Sequence, residues 1–258
     1  MKIATWNVNS LKVRLPHLLE WLAEAQPDVV GLQETKLQNE NFPADALREA
    51  GYEVAFHGQK TYNGVALIAR SQPQDVWTGL SDGQARVITG SVDGVRIICA
   101  YVVNGQAVGS EKFAYKMSWL QELKQRLSEE LQQHEQLVLM GDFNIAPRPC
   151  DTHAPEQWEG KILCSDEERA ALTELLELGL VDPWTRFDHG DESAAENKDR
   201  FTWWDYRAAG FRRNLGLRID HTLITPALDA RCTDCRVDLA PRRLERPSDH
   251  APVVVTLD

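Results

Sequence analysis

Several short segments of this 258-residue chain place oxygen-rich or ionisable side chains at the edge of an apolar run. KIATWNVN closes on Asn7 and Asn9, VVGLQE on Glu34, and LVLMGDFN on Asp142 and Asn144. RID opens a late apolar run with Asp220, and PSDHAPVVV sets Asp249 and His250 just ahead of the last one. A single acid in such a place is ordinary turn chemistry; five polar motifs at strand edges suggest a site. If they converge, Asp, Glu and Asn oxygens suit a hard cation, magnesium or manganese rather than zinc. A histidine near an aspartate gives an oriented imidazole that, once protonated, donates to a phosphate oxygen. A separate carboxylate, Asp142, can polarise a water. Together these parts describe metal-assisted hydrolysis of a phosphoester. No serine or cysteine nucleophile pattern competes, and no GxxxxGKS/T loop is present for nucleotide phosphates.

The elements that must position these groups alternate irregularly. KIATWNV reads as a strand and LKVRLPHLLEWLAEAQ as an amphipathic helix, with Leu15, Leu18, Leu19 and Leu22 at helical spacing and Pro27 beyond its end. DVVGLQ, YEVAF, GVALIAR, ARVITGSV, VRIICAYVV, QLVLM, RIDHTLIT, CRVDL and APVVVTL read as strands. Asn63-Gly64 marks a turn, and Asp93-Gly94 is a hairpin signal. FAYKMSWLQELKQRLSEELQQH is the longest predicted helix, ERAALTELLELG another, and residues 43–50 a short one. Residues 145–165 and 183–200 read as long irregular loops, of the kind that carry function. The pattern fits a mixed sheet, or two stacked sheets with helices outside.

Composition narrows the class. The hydrophobic fraction of 43% supports a real core, and no apolar run is long enough to span a membrane. A net charge of −11 speaks against a uniformly basic nucleic-acid binder, but the arginines are uneven. RAAGFRRNLGLR carries Arg207, Arg212, Arg213 and Arg218; Arg242, Arg243 and Arg246 form a second group; acids gather in HGDESAAENKD, residues 189–199. Five cysteines include one CxxC, Cys232 to Cys235, which without a second pair is weak support for zinc or redox work. A reduced, cytoplasmic protein is expected.

The motifs TWNVNS, LQETK, YNGVALI, GDFNIAP, GLRIDH and ERPSDHAPVVV follow one another from end to end. Together they resemble the exonuclease III family of DNA repair nucleases, within the endonuclease/exonuclease/phosphatase superfamily. QET, GDFN, GLRID and SDHAP are specific in combination. The resemblance implies an α/β fold: a four-layered α/β sandwich, two mixed β-sheets with helices packed on the outer faces, in a single domain over residues 1–258. It implies magnesium (or manganese) held by Glu34, with Asn7 close by and Asp142, Asn144, Asp249 and His250 in the metal region. Asp142 would activate or orient the attacking water, Asn144 would hold the phosphate or that water, and Tyr101 would touch the phosphate or leaving group. Asp220 would pair with His250, which meets a phosphate oxygen. Trp203 and Trp204, adjacent in a strand, should face opposite sides, so one of them is expected in the core; by resemblance their segment, with Leu217 and Ile219, would form a pocket for a deoxyribose lacking its base. Lys36, Asn104, Arg207, Arg212 and Arg213 would contact the DNA. The implied enzyme cuts 5′ to abasic sites and trims nucleotides, phosphates or sugar fragments from 3′ ends of duplex DNA. A monomer without membrane attachment, nucleoid-associated during repair, is expected.

Other readings remain open at this stage: a small-substrate or phosphoinositide phosphatase of the same superfamily, or a catalytically dead relative that only binds. Departures from the family pattern bear on substrate choice. Val103 stands where proline is frequent, Asn9 where some relatives carry aspartate, and Leu217 where some carry tryptophan. Ile162 and Leu163 add bulk beside the expected pocket. His221, next to Asp220 on a strand, should face the opposite way and is expected to be structural.

Overall fold

Short apolar runs broken by turn residues become thirteen strands among the described residues, 1–187 and 200–258 of the computed structural model. The acidic stretch noted above lies outside them. In chain order the first strands are β1 (Lys2–Asn7), β2 (Val29–Gln33), β3 (Glu53–His57), β4 (Val65–Ala69), β5 (Gln74–Thr78), β6 (Val87–Val92) and β7 (Val95–Tyr101). They are followed by β8 (Leu137–Asp142), β9 (Trp203–Trp204), β10 (Gly216–Leu217), β11 (Asp220–Ile224), β12 (Cys232–Val237) and β13 (Val253–Leu257). One sheet has the order β12-β13-β1-β2-β4-β3 and the other β11-β8-β7-β6-β5, with β9 and β10 as a separate ribbon. Only β1–β2 and β7–β8 run parallel, so both sheets are mixed.

Alternation along the strands sorts side chains into layers. Ile3, Val29, Leu67, Ile97, Val138, Met140 and Val255 pack between the two sheets. At Gly31 the sheets come so close that a Cβ would lie 2.6 Å from the Met140 methyl carbon and 2.9 Å from Cys99 Sγ. On the outer face of the first sheet, Trp6, Leu32 and Ile68 meet Leu18, Trp21 and Leu22 of helix α1 (Leu11–Ala25), with Leu47 of α2 (Ala44–Glu49). On the second sheet's outer face, Leu139 and Ile98 meet Trp119, Leu123 and Leu127 of α3 (Glu111–Leu131). Leu172 and Leu175 of α5 (Asp166–Leu176) join the same layer, and two short helices, α4 (Pro155–Trp158) and α6 (Pro226–Asp229), complete the set. The result is helix, sheet, sheet, helix: the four-layered sandwich.

Asp93 and Gly94 turn the β6–β7 hairpin at φ +48° and +83°, the geometry that favours Asp-Gly. Two elements had no sequence signal. Strand β5 is a mostly exposed edge, so no apolar alternation marks it, and the ribbon strands are two residues each. Residues 145–165 contain a short 3₁₀ turn, Pro149–Asp151, as well as α4.

Topology gathers the five polar motifs at one end of the sandwich. β1 and β2 run parallel and finish side by side at Asn7 and Gln33. β13 lies antiparallel to β1, so its start, with His250 just before it, adjoins the end of β1. In the second sheet Asp142 pairs directly with Asp220 and Tyr101 with Asp142.

Candidate active site

The centre is built around one amide. Asn7 Nδ2 donates to Glu34 Oε1 and to Asp142 Oδ2, both at 2.9 Å, so the two carboxylates from opposite sheets are clipped together. Its Oδ1 accepts the Asn9 N–H. Ligand atoms of Glu34, Asp142 and His250 all lie within 4.8 Å of one another. The His250 ring is oriented by Asp220, whose Oδ2 stands 2.8 Å from Nδ1, while Nε2 lies 3.8 Å from Asp142 Oδ2.

Local backbone geometry explains how the chain presents these groups. Gly141 precedes Asp142 at φ +150°, and a Cβ there would sit 1.8 Å from the Ala100 carbonyl oxygen, so only glycine lets β8 reach the site. Glu34, Lys36 and Asn144 adopt left-handed φ of +52°, +53° and +50°. Such conformations cost about 1–3 kcal/mol each and persist only where the surroundings fix them. Here Ser10 N and Leu11 N donate to the carbonyls of Glu34 and Thr35, Lys36 N donates to Asn63 O, and Asn144 N donates to Asp142 Oδ1.

Charge sets the protonation states. Burial would raise the Glu34 carboxyl, but the Lys36 ammonium 2.8 Å away and the Asn7 amide hold it below the usual carboxylate value. Burial pushes Asp142 up; the neighbouring His250 charge opposes this, Asp220 and Glu34 reinforce it, and the carboxyl is pushed up to about 7. Burial would depress His250, yet Asp220 and Asp142 outweigh it and lift the imidazole to about 10. Burial raises the Tyr101 phenol well above its ordinary value, helped by Glu34 and Asp142. The Arg86 guanidinium, 4.7 Å from the Tyr101 ring centroid, holds that ring from behind.

The donor set fits a hard divalent cation. Three carboxylates, Glu34, Asp142 and Asp220, contact only two cationic groups, Lys36 and His250. Excess negative charge therefore remains in a largely buried place, and each carboxylate oxygen, though already hydrogen-bonded, keeps a second lone pair for a cation. His250 belongs to the group of three by distance; with its proton favoured by Asp220 and Asp142 it offers Nε2–H as a donor.

The other expected residues divide. Asn144 Nδ2 donates to Val102 O at 3.1 Å and its Oδ1 accepts from Asn104 Nδ2 at 3.0 Å, leaving one amide hydrogen uncommitted; Asn104 itself is exposed. Lys36 reaches Glu34 and also donates to Asn9 Oδ1 at 2.5 Å. Asp249 stands outside the central group: its carboxylate accepts from Asn9 Nδ2 at 2.9 Å and Trp203 Nε1 at 3.1 Å. Trp203 is half-buried beside a small apolar cluster of Ala146, Leu163, Cys164, Leu217 and Ile219, with Ile162 and Trp158 at its margin. Trp204 does not reach the surface. Strand alternation turns it into the core, fully buried, with Nε1 on Asn214. Leu217 is likewise fully buried, underpinning the cluster. Arg212 and Arg213 are exposed, whereas Arg207 is ion-paired with Asp205 at 2.8 Å.

Arg218 is buried too, bonded to Asp151 and Asp182 and facing His221 Nδ1 at 3.1 Å. His221 Nε2 lies 2.8 Å from Ile145 O, on the side away from His250. Sequence reasoning missed Thr202, whose Oγ1 accepts from Ile219 N and Asp220 N, and Ser248, whose Oγ donates to Asn7 O at 2.7 Å. Ser248 was legible inside PSDHAP; nothing in the sequence marks Thr202.

A sequence model of the Endonuclease/Exonuclease/phosphatase family matches residues 4–250. The chain is 36% identical to Exodeoxyribonuclease III of Haemophilus influenzae, covering 98% of both. Among solved structures it superposes with TM-score 0.95 on the 3′ phosphatase NExo from Neisseria bound to a product DNA hairpin, 50% identical, covering 100% of this chain and 99% of that one. An AP endonuclease from Archaeoglobus fulgidus gives TM-score 0.92 at 38% identity, again with 100% and 99% covered. With the clipped carboxylates and the Asp220–His250 pair in place, the chain belongs to the exonuclease III family of metal-dependent phosphodiester hydrolases.

Proposed function

We propose that this protein is a DNA repair phosphodiesterase: it incises 5′ to abasic sites and removes nucleotides, phosphates or sugar fragments from 3′ ends of duplex DNA. The observation that carries the reading is the meeting of Glu34, Asp142 and His250 within 4.8 Å, from three distant stretches of chain. Magnesium or manganese, held by Glu34 and Asp142, would supply charge neutralisation and polarisation of the phosphoryl group. His250, charged and oriented by Asp220, donates Nε2–H to a non-bridging phosphate oxygen and steadies the charge that builds up there. Asp142, held by Asn7 and the Asn144 N–H, orients the attacking water and receives its proton. The uncommitted amide hydrogen of Asn144 and the Tyr101 phenol border the same space and position the phosphate and the leaving oxygen.

The substrate reading rests on the cluster beside this centre. Trp203, with its indole N–H tethered to Asp249, and the aliphatic wall of Leu163 and Ile219 fit a sugar without its base. A base already missing makes extrusion from the stack cheap. Exposed Arg212 and Arg213, with Lys36 and Asn104 nearer the centre, suit the phosphate backbone, which sets affinity and salt dependence rather than sequence preference. Asp249 serves this wall rather than the cation. The protein would act as a monomeric single domain in the bacterial cytoplasm, a reducing compartment that suits its five free cysteines. No helix of the described residues is long and apolar enough to cross a membrane.

The test is cleavage of an abasic duplex and of a nicked duplex bearing a 3′-phosphate, with magnesium, with EDTA, and with Asp142→Asn. Magnesium-dependent cleavage of both, abolished by EDTA and strongly reduced in the variant, is expected. Cleavage at the wild-type rate by Asp142→Asn removes the role given to that carboxylate.

A further inference from the structure

Beneath the site lies a buried ion pair that the chemistry above does not use. Lys116, on α3, is the one buried lysine among the described residues, and it is fully enclosed. All three ammonium protons have partners: Asn144 O at 2.7 Å, Asn104 O at 3.3 Å, and the carboxylate of Glu168. Glu168 is equally buried and equally engaged. Oε1 also accepts from Leu163 N at 3.1 Å, and Oε2 accepts from Ser165 N and Ser165 Oγ at 3.0 and 2.7 Å. The seal above is tight: a Cβ on Gly105 would come within 3.0 Å of Ile162 Cδ1 and 3.1 Å of Lys116 Cδ.

Three separate loops therefore hang on one ammonium–carboxylate pair. Asn104 and Asn144 are linked above it through their own side chains, and Asn144 N–H is the donor that orients Asp142 Oδ1. Leu163 holds a left-handed φ of +72° at the pocket wall, while its carbonyl accepts from Ala146 N, two residues beyond Asn144. A buried ion pair is a poor source of stability, since well-packed apolar residues of similar volume are often as good or better. What this pair supplies instead is register between loops that apolar contacts leave free to slide.

Building on the phosphodiesterase reading, we propose that Lys116 is a positioning residue of the reaction. It fixes the main-chain carbonyls of Asn104 and Asn144, so that the Asn144 amide and the Asp142 carboxylate face the scissile phosphate together. Through Glu168 it locks the Leu163 wall to the same shelf.

The test compares wild type with Lys116→Met/Glu168→Leu and with Glu168→Gln, each by melting temperature and by kcat and KM on the 3′-phosphorylated nicked duplex. In the double variant the melting point is expected within a few degrees of wild type. Its KM should stay within about twofold, because no side chain that reaches DNA is substituted, while kcat falls about 100-fold from the lost register. Glu168→Gln keeps acceptor oxygen toward Leu163 and leaves Lys116 on Asn144. It should melt earlier yet retain kcat within about threefold. A double variant that folds and turns over at the wild-type rate overturns the proposal. So does a kcat that falls in step with melting temperature in Glu168→Gln, a result readable even where the double variant fails to fold. A wild type inactive on the duplex would count against the phosphodiesterase reading instead.

Discussion

Replacing Asp220 with asparagine separates the charge of the Asp220–His250 pair from its geometry. Asparagine is nearly isosteric and its carbonyl oxygen still accepts Nδ1–H, so the ring stays oriented. What disappears is the main force opposing burial. Raising His250 from 6.5 to about 10 represents a preference for imidazolium of roughly 5 kcal/mol, achieved by Asp220 first and Asp142 second against the desolvation of a ring that is 4% exposed. With Asp220 neutral, only Asp142 and Asp249 still oppose burial, and the imidazole falls well below its wild-type value. The wild-type enzyme therefore keeps its positive Nε2–H donor through pH 8, and the variant does not. A charge-assisted hydrogen bond contributes about 1.5–3 kcal/mol, so kcat/KM at pH 8 should drop about 10- to 150-fold. The loss should shrink on acidification toward pH 6, where the variant's ring regains its proton. The assay is kcat/KM from pH 5.5 to 10 on the 3′-phosphorylated nicked duplex at fixed magnesium, with melting temperature measured in parallel. An alkaline limb unmoved from wild type, with rates within about threefold at pH 8, would refute the argument that Asp220 acts through the His250 charge.

Other outcomes follow from the same geometry. Asp142→Asn should lower kcat by about 10²–10⁴ with little change in KM, read by single-turnover cleavage. Leu163→Gly removes bulk from the pocket wall and suits the left-handed φ, so the ratio of abasic incision to 3′-end trimming should change; an unchanged ratio on defined duplexes discards the idea that this wall selects substrate. Each of Arg212→Ala and Arg213→Ala should reduce the salt slope of duplex binding by about one, and Arg207→Ala by less because Asp205 already pairs with it. Burial, then the Arg218 charge, lowers His221 from 6.5 to about 4, so the unfolded chain binds a proton there before the native state does. That contribution is complete above pH 6.5 and lost as pH falls toward 4, amounting to roughly 3 kcal/mol. Urea titrations should show this acid-side loss diminished in His221→Gln.

The layers of the fold were largely legible because period-two apolar runs such as KIATWNV and LVLMGD, and helical spacing in LKVRLPHLLEWLAEA, depend only on which faces are buried. Edge strand β5 was not legible, since an exposed strand carries no such pattern. The residue types of the centre could also be read: Asn7, Glu34, Asp142, Asp220 and His250 sit at the ends of recognisable runs. Their convergence was not, because nothing local says that β1 ends beside β2 or that Asp142 pairs with Asp220 in register. Those facts come from strand pairing within each sheet, and the stacking of the two sheets then brings the two sets of strand ends together. The same packing decided that Trp204 points into the core while Trp203 stays half-buried beside the Leu163–Ile219 cluster, that Asp249 holds an indole, and that Asn7 clips two carboxylates with one amide. It also raised Asp142 to about 7 and His250 to about 10, since pKa depends on burial and on charges brought near by the fold. The sequence by itself therefore determined which chemical groups are available and at which strand ends they stand. Tertiary structure alone decided their distances, their protonation and the buried Lys116–Glu168 pair beneath them, because electrostatic interaction depends on separation in space and not on separation along the chain.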